Sequence, residues 1–174
     1  MKNAYEVRGD HTAVFVNSPK YGMKEVLIST DKLARVMEFK GSWYINWNEA
    51  LGSFYCQGNT RGEDGKWTIV KMHRWITDSN KGLVVDHINH DTLNNTNENL
   101  RICAFGENLQ NRKGAQKNNK SSGIRGVNWT NNKWRAAIKR NGKHIHIGLF
   151  DSLEDAENAV KEARVKYMPF SMEA

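Results

Sequence analysis

Over residues 1–70 the apolar positions fall in short β-branched or aromatic runs, "HTAVFV", "KEVLIST", "SWYINWN" and "GSFYCQG", each bounded by Gly, Asn or Ser. Runs of that length between turn formers predict strands. Between the second and third, "TDKLARVMEF" predicts a short helix with Thr30 or Asp31 as its N-cap. Further along, "LVVDH" and "NLRIC" predict two short strands around an asparagine-rich loop, and "FGENLQNR" predicts a short helix. Period two returns at "GIRGVNWT", "KWRAAIKRN" and "KHIHIGLF", separated by "NN" and "NG", which are strong hairpin signals. "DSLEDAENAVKEARVKYM" then sets Leu153, Ala156, Ala159, Val160, Ala163 and Tyr167 on one face of a capped helix.

These elements predict an α+β chain in series. Residues 1–70 form a small β-rich region, 71–113 a strand, loop, strand and helix, and 124–174 a three-stranded antiparallel sheet packed on one helix. Residues 114–123, inside the basic run "RKGAQKNNKSSG", predict a flexible or extended linker. Alternation in the last sheet turns Trp134, Ala136, Ile138, Ile145 and Ile147 toward the helix. Arg135, Ala137, Lys139, His144 and His146 take the other, basic face.

Charge narrows the choice of partner. The 26 Lys and Arg against 19 Asp and Glu leave a formal charge of +7, which favours a polyanion. No run of 18 apolar residues and no basic amphipathic helix occurs, so nucleic acid is favoured over membrane. The opening "MKNAYEVRGDHTAVFV" lacks an apolar signal core, so a cytoplasmic location is expected. Two cysteines, Cys56 and Cys103, are too few for a disulfide framework or a four-cysteine zinc site, and both are expected to be reduced. The aromatic-rich first 70 residues carry no chemistry of their own in this pattern and predict a scaffold, one suited to extending a grip on DNA.

Candidate chemistry concentrates in "VVDHINHDTLNNTNENLRICAFGENLQNR", residues 84–112, where seven asparagines crowd behind an Asp-His pair. Each part alone is ordinary, since Asn clusters usually form loops. As a spaced set they offer a carboxylate for a hard cation, an imidazole for a proton and an oxygen ligand from the helix.

The set resembles the HNH endonuclease motif, most of all the versions found in phage and intron-borne homing endonucleases, over about residues 72–112. The resemblance rests on Asp86-His87 at the end of the first strand, on Asn99 with Leu100 and Arg101, and on Asn108 followed by Asn111, with "MHRWI" upstream. It implies a ββα-metal fold. It implies that Asp86 and Asn108 bind one Mg²⁺ (or Mn²⁺), that His87 takes a proton from the attacking water, and that Asn99 completes the catalytic site by bridging the strands. Arg101 would hold a phosphate or brace its strand, and Asn111, Arg112 and Lys113 would meet DNA. His73 is expected to pack behind the site, and His90 stands where relatives often carry Gly in a turn.

The last segment is similar to the APETALA2-type DNA-binding domain, through "RGV", "KWRAAI", "IGLF" and the Ala-rich "EDAENAVKEA" over roughly 121–168. That resemblance implies a sheet lying in the major groove. Arg125 and Asn128 on its first strand would be DNA contacts, together with Arg135, Lys139, His144 and His146. Ala137, His144 and His146 depart from the plant pattern, so its target sequence does not transfer. Trp129 is left either to stack on a sugar or to fill the core.

Together the two resemblances imply a site-specific, metal-dependent endonuclease on double-stranded DNA. It would leave 5′-phosphate and 3′-hydroxyl ends, nick one strand as a monomer in preference to breaking both as a dimer, need no protein partner and act in a bacterial host's cytoplasm when phage-encoded. The rivals are a DNA-binding regulator with a vestigial nuclease fold and a structure-specific or RNA-directed nuclease. A sequence-reading sheet would be superfluous in the second.

Overall fold

The computed structural model describes residues 1–62 and 64–173. They divide into two compact units, Met1–Cys103 and Ala104–Ala174. The boundary falls inside the segment 71–113, directly after the "NLRIC" strand.

The first unit opens with β1 (Tyr5–Arg8), β2 (His11–Ser18) and β3 (Gly22–Ser29). A 3-10 turn at Thr30–Lys32 leads into α1 (Leu33–Met37). Then come β4 (Tyr44–Asn48), β5 (Ser53–Arg61), β6 (Trp67–Lys71) and α2 (Met72–Thr77). The unit closes with β7 (Val84–His87), β8 (Asn94–Asn95) and β9 (Leu100–Cys103). Three sheets result, ordered β1-β2-β3-β8, β4-β5-β6 and β7-β9.

Val14 and Val16 of β2 and Val26 and Ile28 of β3 face a shared core with Phe39, Trp43, Ile45, Met72 and Ile76. Phe39 stacks on Trp43 with 4.1 Å between ring centres. Gly58 of β5 makes that stacking possible, because a Cβ there would stand 2.3 Å from the Phe39 ring. The core joins α2 to the N-terminal strands, so residues on both sides of position 70 share one interior.

The expected helix cap is corrected. Thr30 and Asp31 lie inside the 3-10 turn, and α1 has no side-chain cap. The Thr30 hydroxyl instead donates to the Gly9 carbonyl at 2.7 Å and meets the Thr12 hydroxyl at 3.0 Å, tying the turn to the β1–β2 hairpin.

The asparagine-rich loop is held on both sides. Asn94 and Asn95 form a two-residue strand parallel to β3, opposite Leu27 and Ile28. The Asn97 N–H donates to Ser29 Oγ at 2.8 Å, and its amide to Asp31 Oδ1 at 3.0 Å. The Thr92 hydroxyl donates to the Phe54 carbonyl.

The second unit begins with α3 (Phe105–Asn108), continued by a 3-10 turn at Leu109–Asn111. The antiparallel sheet of β10 (Val127–Thr130), β11 (Lys133–Arg140) and β12 (Lys143–Phe150) follows, and then α4 (Leu153–Tyr167). Both hairpin turns are left-handed, with φ of 49° and 58° at Asn131 and Asn132, and 50° and 79° at Asn141 and Gly142. That matches the right-handed twist of the strands they join. Ser152 caps α4, its hydroxyl accepting from the Glu154 and Asp155 N–H groups at 3.1 and 3.3 Å.

Val127, Ala136 and Ile138 pack on Ala156, Val160 and Ala163 of α4, joined by Trp134, Ile145 and Ile147. Opposite Ala136 and Ala137 the register of β12 skips Ile147, a bulge that keeps residues on both sides of it in the core. Gly126, at φ 87°, lets the chain pass close to this layer. A Cβ there would lie 2.7 Å from the Ala137 carbonyl oxygen and 2.8 Å from Val160. Trp129 packs edge-on against Trp134 with 4.7 Å between centres, on the helix side of the sheet.

Candidate active site

β7 and β9 pair antiparallel, with Asp86 opposite Arg101 and His87 opposite Leu100. The two side chains of the Asp-His pair therefore take different surroundings. Arg101 donates to one carboxylate oxygen of Asp86 through Nε at 2.9 Å and Nη2 at 2.7 Å. This is a cross-strand ion pair that is mostly buried, with side-chain exposures of 20% and 10%.

His87 is buried on the other side. Its Nε2 lies 3.1 Å from Asn95 Oδ1, and the Asn95 amide nitrogen donates to the Leu93 carbonyl at 3.2 Å. The second bond fixes which end of the Asn95 amide faces His87. An amide oxygen only accepts, so the imidazole donates to it from a protonated Nε2. Burial holds the His87 pKa below the usual histidine value, while Asn95, Asp86 and Asp91 pull the other way. His73 of α2 meets His87 edge to face with 4.9 Å between centres. Burial first, and then His87, Lys71 and Arg74, push the His73 pKa down to about 2. Tyr55 of β5 adjoins both rings, at 5.9 Å from His73 and 6.2 Å from His87.

Asn99 clamps the loop between the paired strands. Its Oδ1 accepts from the Asn89 N–H at 2.9 Å, and its amide donates to the Asp91 and Asn94 carbonyls at 3.2 and 2.7 Å. Asn89 and Asp91 each form a tight local turn by accepting from the backbone two residues on. His90 sits at φ 66°, the left-handed geometry that glycine adopts without strain. Most of the asparagines that crowd this segment thus hold a turn or orient a side chain.

Residues 70–110 match a family model described as HNH endonuclease. The match supports an HNH nuclease domain, and so a hydrolase acting on nucleic acid, in this part of the chain. A stretch of 76 residues, 42% of the chain, is 34% identical to "Protein 3.8" of Escherichia phage T7. The stretch spans 61% of that relative's length. No solved structure matches.

The HNH match runs from β6 through β9 and includes Asn108. Asp86, His87, Asn99 and Arg101 lie in the first unit, and Asn108 lies in the second. Among the described residues no cluster of three or more His, Cys, Asp or Glu is placed to hold a metal. The donors that the HNH pattern supplies, a carboxylate and an amide oxygen, are both hard oxygens and fit a Mg²⁺-like ion that keeps much of its water.

The expected DNA contacts of the second unit fall into two groups. Asn128, Arg135, Lys139, His144 and His146 lie on the sheet face opposite α4, and all but His146 border a groove of about 620 Å³. Arg112 also lines the groove, and Lys113 is exposed.

Two placements are corrections. Asn111 is 4% exposed, and its Oδ1 accepts from the Met172 N–H at 3.2 Å, so it faces inward and holds the C-terminal segment. Arg125 precedes β10 instead of lying on it. Its guanidinium donates to the Leu109, Gln110 and Arg112 carbonyls at 3.1, 2.9 and 2.6 Å.

The expected linker is also more ordered than its composition suggests. The Asn119 amide donates to the Ile124 and Val127 carbonyls, both at 2.8 Å, and Ser122 joins the same cluster.

The sequence pattern does not single out Asn95, Tyr55 and Lys71 as parts of the site. An Asn-Asn pair in a loop gives no sign of which amide will face a histidine, and Tyr55 lies before the HNH-like stretch begins.

Proposed function

We propose that this chain is a metal-dependent, site-specific DNA endonuclease of the HNH homing type, which nicks one strand to leave 5′-phosphate and 3′-hydroxyl ends. The observation that carries the reading is His87, kept neutral by its burial and oriented by Asn95 at its Nε2, next in the chain to Asp86. A neutral imidazole is the state that takes a proton from water near neutral pH. In this reading Nδ1 of His87 accepts the proton of the attacking water, while Asn95, Asn99 and His73 fix the ring's position. Asp86, with Asn108 as the second donor in the HNH pattern, would hold one Mg²⁺ or Mn²⁺. Such an ion supplies Lewis-acid stabilisation of the scissile phosphate and the departing 3′ oxygen. Arg101 sets the direction of the Asp86 carboxylate.

The second unit supplies sequence choice. Its basic outer sheet face, with Asn128, Arg135, Lys139, His144 and His146, suits strands laid in a major groove in the APETALA2 manner. Arg112 and Lys113 add phosphate contacts, and Arg125 braces the chain behind them. Double-stranded DNA is the partner, and among the described residues no helix is long and apolar enough to cross a membrane.

Nick mapping by sequencing tests the proposal, with wild type and His87→Ala incubated with Mg²⁺ on pooled phage and bacterial DNA. Breaks at one recurring sequence on one strand, reduced 10²- to 10⁴-fold in the variant, are the expected result. Tight, salt-sensitive binding without breaks would replace it with a DNA-binding regulator.

A further inference from the structure

Strands β4, β5 and β6 turn one face away from the core that Ile45, Cys56 and Val70 serve. Pairing sets Tyr44, Gln57 and Lys71 in one row of that face, with Asn46 beside Tyr55, Asn59 beside Ile69, and Arg61 beside Trp67. The three strands contain no Asp or Glu. Trp67 is 70% exposed and Ile69 61%, a large apolar exposure for a solvated sheet.

Cations lie among the rings. The Arg61 guanidinium is 5.3 Å from the Trp67 ring centre, and the Lys71 ammonium is 4.3 Å from that of Tyr55. Amides are already oriented, since Tyr44 Oη donates to Asn59 at 2.9 Å and accepts from Gln57 at 3.2 Å. Gly41, Ser42, Tyr44, Asn59 and Trp67 line a hollow of about 420 Å³ on this face. At the other end of the face, Tyr55 stands against His73 and His87.

We propose that this face is a second DNA-binding surface, along which one strand runs from Trp67 and Arg61 to Lys71 and Tyr55 and there enters the Asp86–His87 site. Interleaved cations and exposed rings, with no acid between them, suit phosphates and the flat faces of sugars or bases. The direction of the path rests on the nuclease reading; the binding does not. Arg61, Trp67 and Tyr55 precede the HNH-like stretch, so the scaffold would be part of the substrate's track.

The test is anisotropy titration of a labelled duplex of arbitrary sequence by the full chain, without divalent ions, across a range of salt. Arg61→Ala combined with Lys71→Ala is expected to lower the slope of log K against log salt by roughly two, one for each phosphate no longer neutralised. Trp67→Ala is expected to weaken binding severalfold at unchanged slope, because an indole packed on a backbone sugar neutralises no phosphate and so releases no counterions. Unchanged slope and affinity in both variants, with thermal melts showing intact folds, would overturn the proposal. So would a Trp67→Ala variant that alters self-association in sedimentation while binding DNA normally, which would assign the face to a second copy. Cutting by wild type and its loss in His87→Ala are read separately, so the surface and the active site can fail independently.

Discussion

The His73 and His87 imidazoles meet edge to face in a buried setting, and a proton on either must do without water and face its neighbour. His73 binds no proton in the native state near pH 5, whereas the unfolded chain does, its histidine pKa being about 6.5. Protons therefore favour unfolding, and stability falls as pH drops below about 6.5, by up to ~1.4 kcal/mol per pH unit from His73 alone. Urea melts at pH 7.5, 6 and 5 should show that slope, and His73→Phe should flatten it by about one proton. His87 shifts in the same direction, so it should still act as a base somewhat below the usual histidine range. Asn95→Ala should lower kcat by roughly tenfold with KM little changed, since it releases the ring without touching the substrate. Arg101→Ala leaves the mostly buried Asp86 carboxylate without its cation and should cost about 3 kcal/mol of stability in denaturant melts.

Between β5 and Phe39, just beyond α1, the interior depends on one missing methyl. Gly58→Ala would drive a Cβ into the Phe39 ring and should destabilise the first unit by about 2 kcal/mol, read as a lowered urea midpoint with an unchanged m-value. The sequence made the alternating strands legible, because their period-two pattern reflects one buried face. β2, β3, β5, β7, β9 and the last three strands fall where the apolar runs predict them. It hid β1, whose four residues are all exposed, and α2, whose six residues are too few to display a helical period. β8 was hidden for a different reason. Its two asparagines pair with β3 through backbone alone, and no side-chain pattern advertises such a contact. The Asp-His pair, Asn99 and Arg101 were legible through spacing, but the partner that orients His87 was not, because it depends on which way a loop amide turns.

Across the whole molecule the compact units do not follow the texture of the sequence. Composition suggests a break near residue 70, yet one core unites Val14 with Met72, and the first unit extends to Cys103. The outer sheet face of the second unit can be tested without removing anything. Arg135→Ala should relax site choice, measured as the ratio of cutting at the recurring site to cutting elsewhere, by roughly ten- to a hundredfold. Its metal-dependent cutting of unrelated DNA should persist.

The pairing of Asn94 and Asn95 with β3 also bears on how such a nuclease changes hands between proteins. A graft of residues 70–110 alone would arrive without the strand on which its loop rests and without the ring of Tyr55. Recombination or engineering that carries the chain from Met1 through Asn108 would bring the loop with its supporting strand, Tyr55 with the histidines, and both donors of the HNH pattern. The portable piece is longer than the motif by which it is recognised.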